Sequence, residues 1–354
     1  MDRAEIDDFG RGTLFFGTSL VQKCALVEGQ SDVFLLETSA ILRRRTQRSP
    51  LPGQFYLLKS AKSAVQLDRP ISVYASRDKI DPATGLKTVS LQFLILKKGA
   101  GTQELCSLLP GDEIELIGPL GNGFALPDGI EPSAERPEIA IIGGGIGVAP
   151  VAFFASSLPE RSYDFYASFR HGSYGLGQVR AAALTVTTDD GSEGIAGMLP
   201  AAFTADTVRE KGYRALFGCG PAPLLAYLQR IARETGVPCY LSMENRMACG
   251  VGACLGCTIP TTRGMLRVCK DGPVFDASIL QIEQPAPVRR SPLCAGQEPD
   301  LSVTIAGVTF PNPVIAASGT FGFGQNYRGL FDVNVLGGIV AKGCTLEARE
   351  GNGG

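Results

Sequence analysis

Cys249, Cys254, Cys257 and Cys269 fall within 21 residues in a C-x4-C-x2-C-x11-C order. Thiolate sulfur is a soft ligand for iron or zinc, and the x4-x2 triplet is the plant-type ferredoxin spacing. With the fourth, more distant thiolate, four sulfurs can complete the tetrahedra of two irons. Gly250, Gly252 and Gly256 stand between the ligands, where missing side chains let a loop wrap closely and aim backbone N–H groups at sulfur. Zinc is the competing structural reading, but zinc sites pair two short C-x2-4-C knuckles, which this spacing does not.

A second constellation is Gly143-Gly144-Gly145-Ile146-Gly147-Val148-Ala149-Pro150, placed after the apolar run Ile139-Ala140-Ile141-Ile142 and before the helical stretch Ala149 to Leu158. A glycine turn between a strand and a helix brings backbone N–H groups and a helix N-terminus toward a pyrophosphate. The competing reading is a bare structural turn, since strict G-x-G-x-x-G is not met. Downstream, Phe217-Gly218-Cys219-Gly220-Pro221 ends a strand and precedes the helical Leu224 to Ile231.

These elements need a scaffold. At 354 residues the chain is long enough for two or three cores. A content of 44% hydrophobic and 19% charged residues is that of an ordinary globular protein, and 44 Gly with 23 Pro predict many tight turns. The net charge of -2 supplies no pull toward nucleic acid or anionic lipid. The N-terminus, Met1-Asp2-Arg3-Ala4-Glu5, lacks the basic-then-apolar pattern of a secretory signal, so a cytoplasmic location is expected and thiols stay reduced. The uncharged run Ile139 to Ala155 is too short and glycine-rich for a membrane span.

Short alternating segments, Asp32 to Glu37, Gln54 to Leu58 and Val89 to Leu96, predict a small antiparallel barrel over 10-134. Alternation of strand and helix then predicts an α/β domain over 135-240, with Tyr163 to Phe169 as a strand. The cysteine cluster occupies 241-282, and a proline-rich linker 283-300. Segments at Val303 and Ile305, Val314 to Ala316 and Ile339 to Ala341 alternate again over 301-354, as the opening of another domain.

Several motifs resemble known ones. Arg69-Pro70-Ile71-Ser72 resembles the R-x-Y-S/R-P-x-S flavin motif of the ferredoxin-reductase superfamily, in which the arginine pairs with flavin phosphate and the serine meets the isoalloxazine. Gly101-Thr102, after the strand Leu94-Ile95-Leu96, stands where that superfamily has a phosphate-facing turn, although Lys97 to Thr102 departs from the usual G-K-G-T. Cys219-Gly220-Pro221 resembles the C-G-P motif that flanks the nicotinamide.

Together with G-P-L-G-N-G-F (Gly118 to Phe124) and C-K-D-G-P-V-F-D (Cys269 to Asp276), these motifs resemble the electron-transfer subunits of bacterial, NAD-dependent dihydroorotate dehydrogenase over roughly residues 12 to 282. The resemblance implies a ferredoxin-reductase-type FAD barrel, an α/β domain for NAD with Gly143, Gly144, Gly145, Ile146 and Gly147 at the dinucleotide, and a small loop domain with a 2Fe-2S cluster on the four cysteines. It also implies a catalytic-subunit partner in a heterotetramer-like assembly. Electrons would pass from an FMN site through the cluster and FAD to NAD in pyrimidine (UMP) biosynthesis.

Asn312 to Gly324 resembles the start of the catalytic subunit of the same enzyme, and Lys342 matches its flavin and substrate lysine. By that resemblance Ser318 and Lys342 would touch FMN. A (β/α) barrel needs roughly 250 residues, of which 301-354 supply an incomplete start, so FMN binding is expected only if the rest is supplied. Cys344 lies beside the lysine and is not the expected base, and the lone His171 reads as a loop residue, leaving no acid-base catalyst to assign. NADH is expected over NADPH, although Arg170 could accept a 2'-phosphate. The rival enzyme is an NAD(P)H-ferredoxin or sulfide-type reductase subunit, which lacks Asn312 to Gly324; the rival of another class is a non-catalytic, metal-stabilised module.

Overall fold

The computed structural model describes residues 7–8, 12–13, 15–41, 48–63, 65–80, 87–282, 300–317 and 332–340. Most of the expected linker, together with Ser318, Lys342 and Cys344, lies outside the described residues. The chain divides into two compact units, Met1–Pro285 and Ala286–Gly354.

The first unit opens with a closed antiparallel barrel of six strands: β1 (Phe15–Leu26), β2 (Val33–Ile41), β3 (Phe55–Ser60), β4 (Arg69–Ile80), β5 (Lys87–Leu96) and β6 (Glu113–Leu120). Their order around the barrel is β1-β2-β5-β4-β3-β6, and β6 returns to β1. Strict alternation of buried and accessible positions along β6 shows why this sequence makes barrel wall. Leu36, Tyr56, Leu58, Leu91, Phe93 and Ile95 fill the interior. Between β5 and β6 the expected phosphate-facing turn is the first turn of a short helix, α1 (Ala100–Cys106).

The chain then alternates β7 (Ile139–Gly144), α2 (Val148–Ser156), β8 (Asp164–Phe169), β9 (Ala183–Thr188), β10 (Ile195–Ala196), α3 (Ala205–Lys211), β11 (Ala215–Cys219), α4 (Ala222–Thr235) and β12 (Cys239–Ser242). All six residues of β7 are buried, as a central parallel strand covered on both faces requires. Helix α3 starts on a Thr204–Thr207 capping box, and α3 and α4 both stop at left-handed glycines, Gly212 and Gly236.

The cysteine segment adds a hairpin, β13 (Thr258–Thr261) and β14 (Gly264–Arg267), and then β15 (Val274–Asp276). The last of these joins the α/β sheet, whose order is β10-β9-β8-β7-β11-β12-β15, with only β15 antiparallel to its neighbour. One core runs from Phe55, Leu57 and Leu120 of the barrel to Cys257, Val268 and Cys269.

In the second unit, β16 (Val303–Ile305) and β17 (Val308–Phe310) form a hairpin, and β18 (Ile315–Ala316) pairs in parallel with β19 (Gly338–Ile339). A hairpin followed by a parallel pair joined by a crossover suits a (β/α) barrel start. Among the described residues, no helix is long and apolar enough to cross a membrane.

Candidate functional site

The four clustered cysteines meet as two pairs. The N–H of Cys254 donates to Cys249 Sγ at 3.4 Å, and the N–H of Cys269 donates to Cys257 Sγ at 3.4 Å. Among the described residues no three His, Cys, Asp or Glu side chains gather around a single-ion position. A 2Fe-2S cluster takes two thiolates on each iron, so paired sulfurs fit it, whereas one zinc needs its four ligands around a single point.

The cysteine segment treats its thiols unequally. Burial pushes the Cys249 thiol up, but N–H groups of Cys254, Val251 and Ala253 outweigh it and bring the group down to about 7. Cys269 moves the other way, to about 12, through burial and then its neighbour Cys257. Gly250 and Gly252 have φ of +68° and +82°. A Cβ on Gly250 would stand 2.7 Å from Leu57, so the loop lies directly on the barrel wall. Leu255, between two ligands, is 59% exposed and takes the left-handed conformation at φ 59°.

The flavin-type motifs converge as well. Arg69 and Ser72 begin β4, and a Cβ on Gly101 would stand 2.0 Å from Arg69 Nε, so the guanidinium lies across the start of α1. Thr102 is committed to that turn: its hydroxyl accepts from the N–H groups of Lys98 and Gly99 and donates to the Gly99 carbonyl. Pro70 and Ile71 pair with Leu57 and Tyr56 of β3. Ile95 belongs to the barrel interior and Leu94 to the core shared with Val148, while Leu96 is only partly buried at the end of β5.

At the sheet, the two glycine motifs touch. Cys219 pairs in register with Gly143, and a Cβ on Gly147 would meet Gly220 N at 2.6 Å and Cys219 O at 2.7 Å. A Cβ on Gly144 would meet the Pro221 ring at 3.0 Å. Gly145, in a left-handed conformation at φ 52°, and Ile146 complete the turn. The two glycine turns thus pack backbone to backbone at the carboxyl ends of β7 and β11, the crevice of a parallel sheet where a dinucleotide binds. Burial, and then the Glu244 carboxylate, hold the Cys219 thiol well above its usual range, so it is neutral. In the loop after β8, His171 pairs with Asp190 at 2.8 Å, and Ser173 donates its N–H and hydroxyl to the Glu193 carboxylate.

One connection was invisible in the motifs. The Asn122 amide donates to Val274 O at 2.8 Å and Asp271 O at 3.3 Å, and accepts from Val274 N at 2.9 Å. Its own N–H donates to Gly272 O. The Gly118 to Phe124 and Cys269 to Asp276 motifs are therefore two halves of one clamp between barrel and cluster segment. Their joint presence was the available signal.

A subunit from Clostridium acetobutylicum, "Dihydroorotate dehydrogenase B (NAD(+)), electron transfer subunit", is 38% identical over 231 residues, covering 65% of this chain and 85% of that protein. The chain belongs to this family. The electron transfer subunit of Clostridium perfringens is 35% identical over 237 residues, covering 65% of this chain and 86% of the relative. Residues 244–281 match the iron-sulfur cluster binding domain of dihydroorotate dehydrogenase B, and residues 300–354 match the dihydroorotate dehydrogenase family. The second match lies beyond the part that resembles electron transfer subunits. In fold, the first unit is like the solved NADH-dependent reduced ferredoxin-NADP oxidoreductase, with a TM-score of 0.58 at 24% identity, covering 74% of this chain and 88% of that one.

Proposed function

We propose that this chain passes electrons from the FMN site of a dihydroorotate dehydrogenase catalytic subunit, through a 2Fe-2S cluster and FAD, to NAD in pyrimidine biosynthesis. The observation that carries the reading is the paired set of four thiols in a loop seated on the barrel, with the barrel and the glycine cleft in the same unit. Arg69, Ser72 and the Gly101 turn would hold FAD. Gly143 to Gly147 with Cys219 to Pro221 would hold NAD. Cys249 and Cys254 would take one iron, and Cys257 and Cys269 the other.

Bound there, flavin and cluster supply the conversion between two-electron nicotinamide chemistry and single-electron steps. The chain's own residues bind, orient and shield. The neutral Cys219 thiol adds no charge beside the cleft, and no residue is needed as acid or base. Asp190 and Glu193 in the loop against Arg170 to Ser173 support NAD over NADP, because a 2'-phosphate would meet carboxylates. A catalytic-subunit partner in a heterotetramer-like assembly and a cytoplasmic location complete the proposal. Residues 300–354, matching dihydroorotate dehydrogenase, favour this over a ferredoxin or sulfide-type reductase.

Purified protein should be brown-yellow, with one FAD and two irons per chain. It should reduce ferricyanide with NADH, and dihydroorotate-dependent NAD reduction should need an intact catalytic subunit. A colourless, zinc-containing preparation would sink the proposal.

A further inference from the structure

Arg267 ends β14, two residues before the ligand Cys269. Its guanidinium forks onto Asp271, with Nε 2.9 Å from Oδ2 and Nη2 3.0 Å from Oδ1. The Arg267 N–H donates to the same carboxylate at 2.8 Å, and the Arg267 carbonyl accepts from the N–H groups of Lys270, Asp271 and Gly272. The turn that carries Cys269 is thus fixed from both side chain and backbone.

The third nitrogen, Nη1, points the other way and donates to the Gly252 carbonyl at 3.3 Å. Gly252 lies between Cys249 and Cys254, in the opposite arm of the cluster loop. A Cβ on it would stand 2.7 Å from the Lys270 side-chain methylenes and 3.4 Å from Arg267 Nη1, so the glycine lets the Cys269 turn lie close against this arm. The Arg267–Asp271 pair is therefore a dipole whose positive end faces the cluster loop.

The peptide it touches is not a bystander. The Gly252 carbonyl shares its amide plane with the N–H of Ala253, the residue before Cys254, whose own N–H donates to Cys249 Sγ at 3.4 Å. A cation at an amide oxygen polarises the group and strengthens the donor at its nitrogen. Stronger N–H donors and nearby positive charge favour the more negative, reduced form of a cluster.

We propose that Arg267 is a positioning residue which, through the Gly252–Ala253 peptide, holds the arm between Cys249 and Cys254 against the turn that carries Cys269 and raises the reduction potential of the cluster. The inference rests on the 2Fe-2S reading above. The bland alternative is an ion pair that only closes a turn, and its two partners would then be equivalent. If charge and polarisation matter, they are opposite: removing Arg267 lowers the potential, and removing the opposing Asp271 charge raises it.

The test uses the full chain with its cluster, as wild type and as Arg267→Gln, Arg267→Lys and Asp271→Asn. Visible and EPR spectra report cluster content, and a redox titration followed by EPR reports the potential. We expect Arg267→Gln to shift negative and Asp271→Asn positive. Arg267→Lys, which keeps a charge but loses the fork, should fall between wild type and Arg267→Gln. A wild-type potential in Arg267→Gln, or shifts of the same sign in the arginine and aspartate variants, would overturn the inference while leaving the cluster assignment intact. If Arg267→Gln loads no cluster, the signs for Arg267→Lys and Asp271→Asn decide alone. A wild-type chain with no cluster spectrum sinks the 2Fe-2S reading and this inference together.

Discussion

The Arg69 guanidinium lies over Gly101 so closely that a single added methyl carbon would sit 2.0 Å from Nε. Two motifs 32 residues apart therefore form one cationic ledge at the mouth of the barrel. Replacing Gly101 with Ala should displace the guanidinium without removing it, and Arg69→Gln should remove the charge. Loss of a charge-assisted hydrogen bond, about 1.5–3 kcal/mol, predicts FAD retention weaker by roughly ten- to a hundredfold in the glutamine variant. Flavin fluorescence released on dialysis measures both. Wild-type retention in Arg69→Gln would exclude the guanidinium from flavin binding.

Gly147→Ala should act at the other end of the path. The new Cβ would press on Gly220 N and the Cys219 carbonyl and push the two glycine motifs apart. The KM for NADH in ferricyanide reduction should rise, while flavin and iron content stay unchanged. An unaltered KM would mean that the nicotinamide dinucleotide does not enter this cleft.

Much of this was legible in the sequence, and what was not has a common cause. The cluster cysteines and the glycine turn announce themselves because their ligands lie close along the chain. Alternating burial along β6 likewise follows from residues two apart. Long-range pairings leave no such trace: nothing in Val274 to Asp276 says that it will add to β12, 32 residues away from Ser242. Thr102 was taken as a phosphate contact for its place after Gly101, yet its hydroxyl is consumed in capping α1, a competition typical of threonine at helix starts. Arg267 escaped notice because its pair with Asp271, four residues on, reads as a closed turn, while its contact to the cluster loop is a backbone carbonyl, which carries no sequence.

Asn122→Ala tests the clamp between barrel and cluster segment. The change strands the N–H and carbonyl of Val274, a residue only 8% exposed, and should cost about 2–4 kcal/mol. Calorimetry should show a lower Tm, and the cluster absorbance should bleach faster in air. A Tm equal to wild type would mean that the clamp holds nothing together.

Cys254→Ser should remove the cluster absorbance and leave most of the flavin, because Cys254 is exposed and the site proposed for flavin rests on Arg69 and Gly101 instead. Iron and flavin analysis of the same sample decides it. Simultaneous loss of both would make the two sites interdependent.

Stability should fall on the alkaline side. Burial raises the hydroxyls of Tyr56, Tyr166 and Tyr213 above their usual range, and at Tyr213 the hydrogen bond to Asp164 adds to it. The folded chain therefore holds protons that the unfolded chain releases above pH ~10. The Tm should begin to decline as pH passes the ordinary thiol value, because buried Cys106, Cys219 and Cys239 keep their protons in the fold, and fall further past the ordinary tyrosine value, with phenolate absorbance rising only on unfolding. A folded protein showing phenolate at pH 10 from these rings would contradict this.

The seating of β15 against β12 bears on how this protein ages in a cell. Without β15, the backbone groups of Tyr240 to Ser242 would be bare, a template for strands of other molecules. Oxidative loss of iron that loosens the segment from Cys249 to Cys269 would thus do more than silence electron flow: it would weaken the anchorage of the strand that covers β12 and leave damaged molecules prone to self-association.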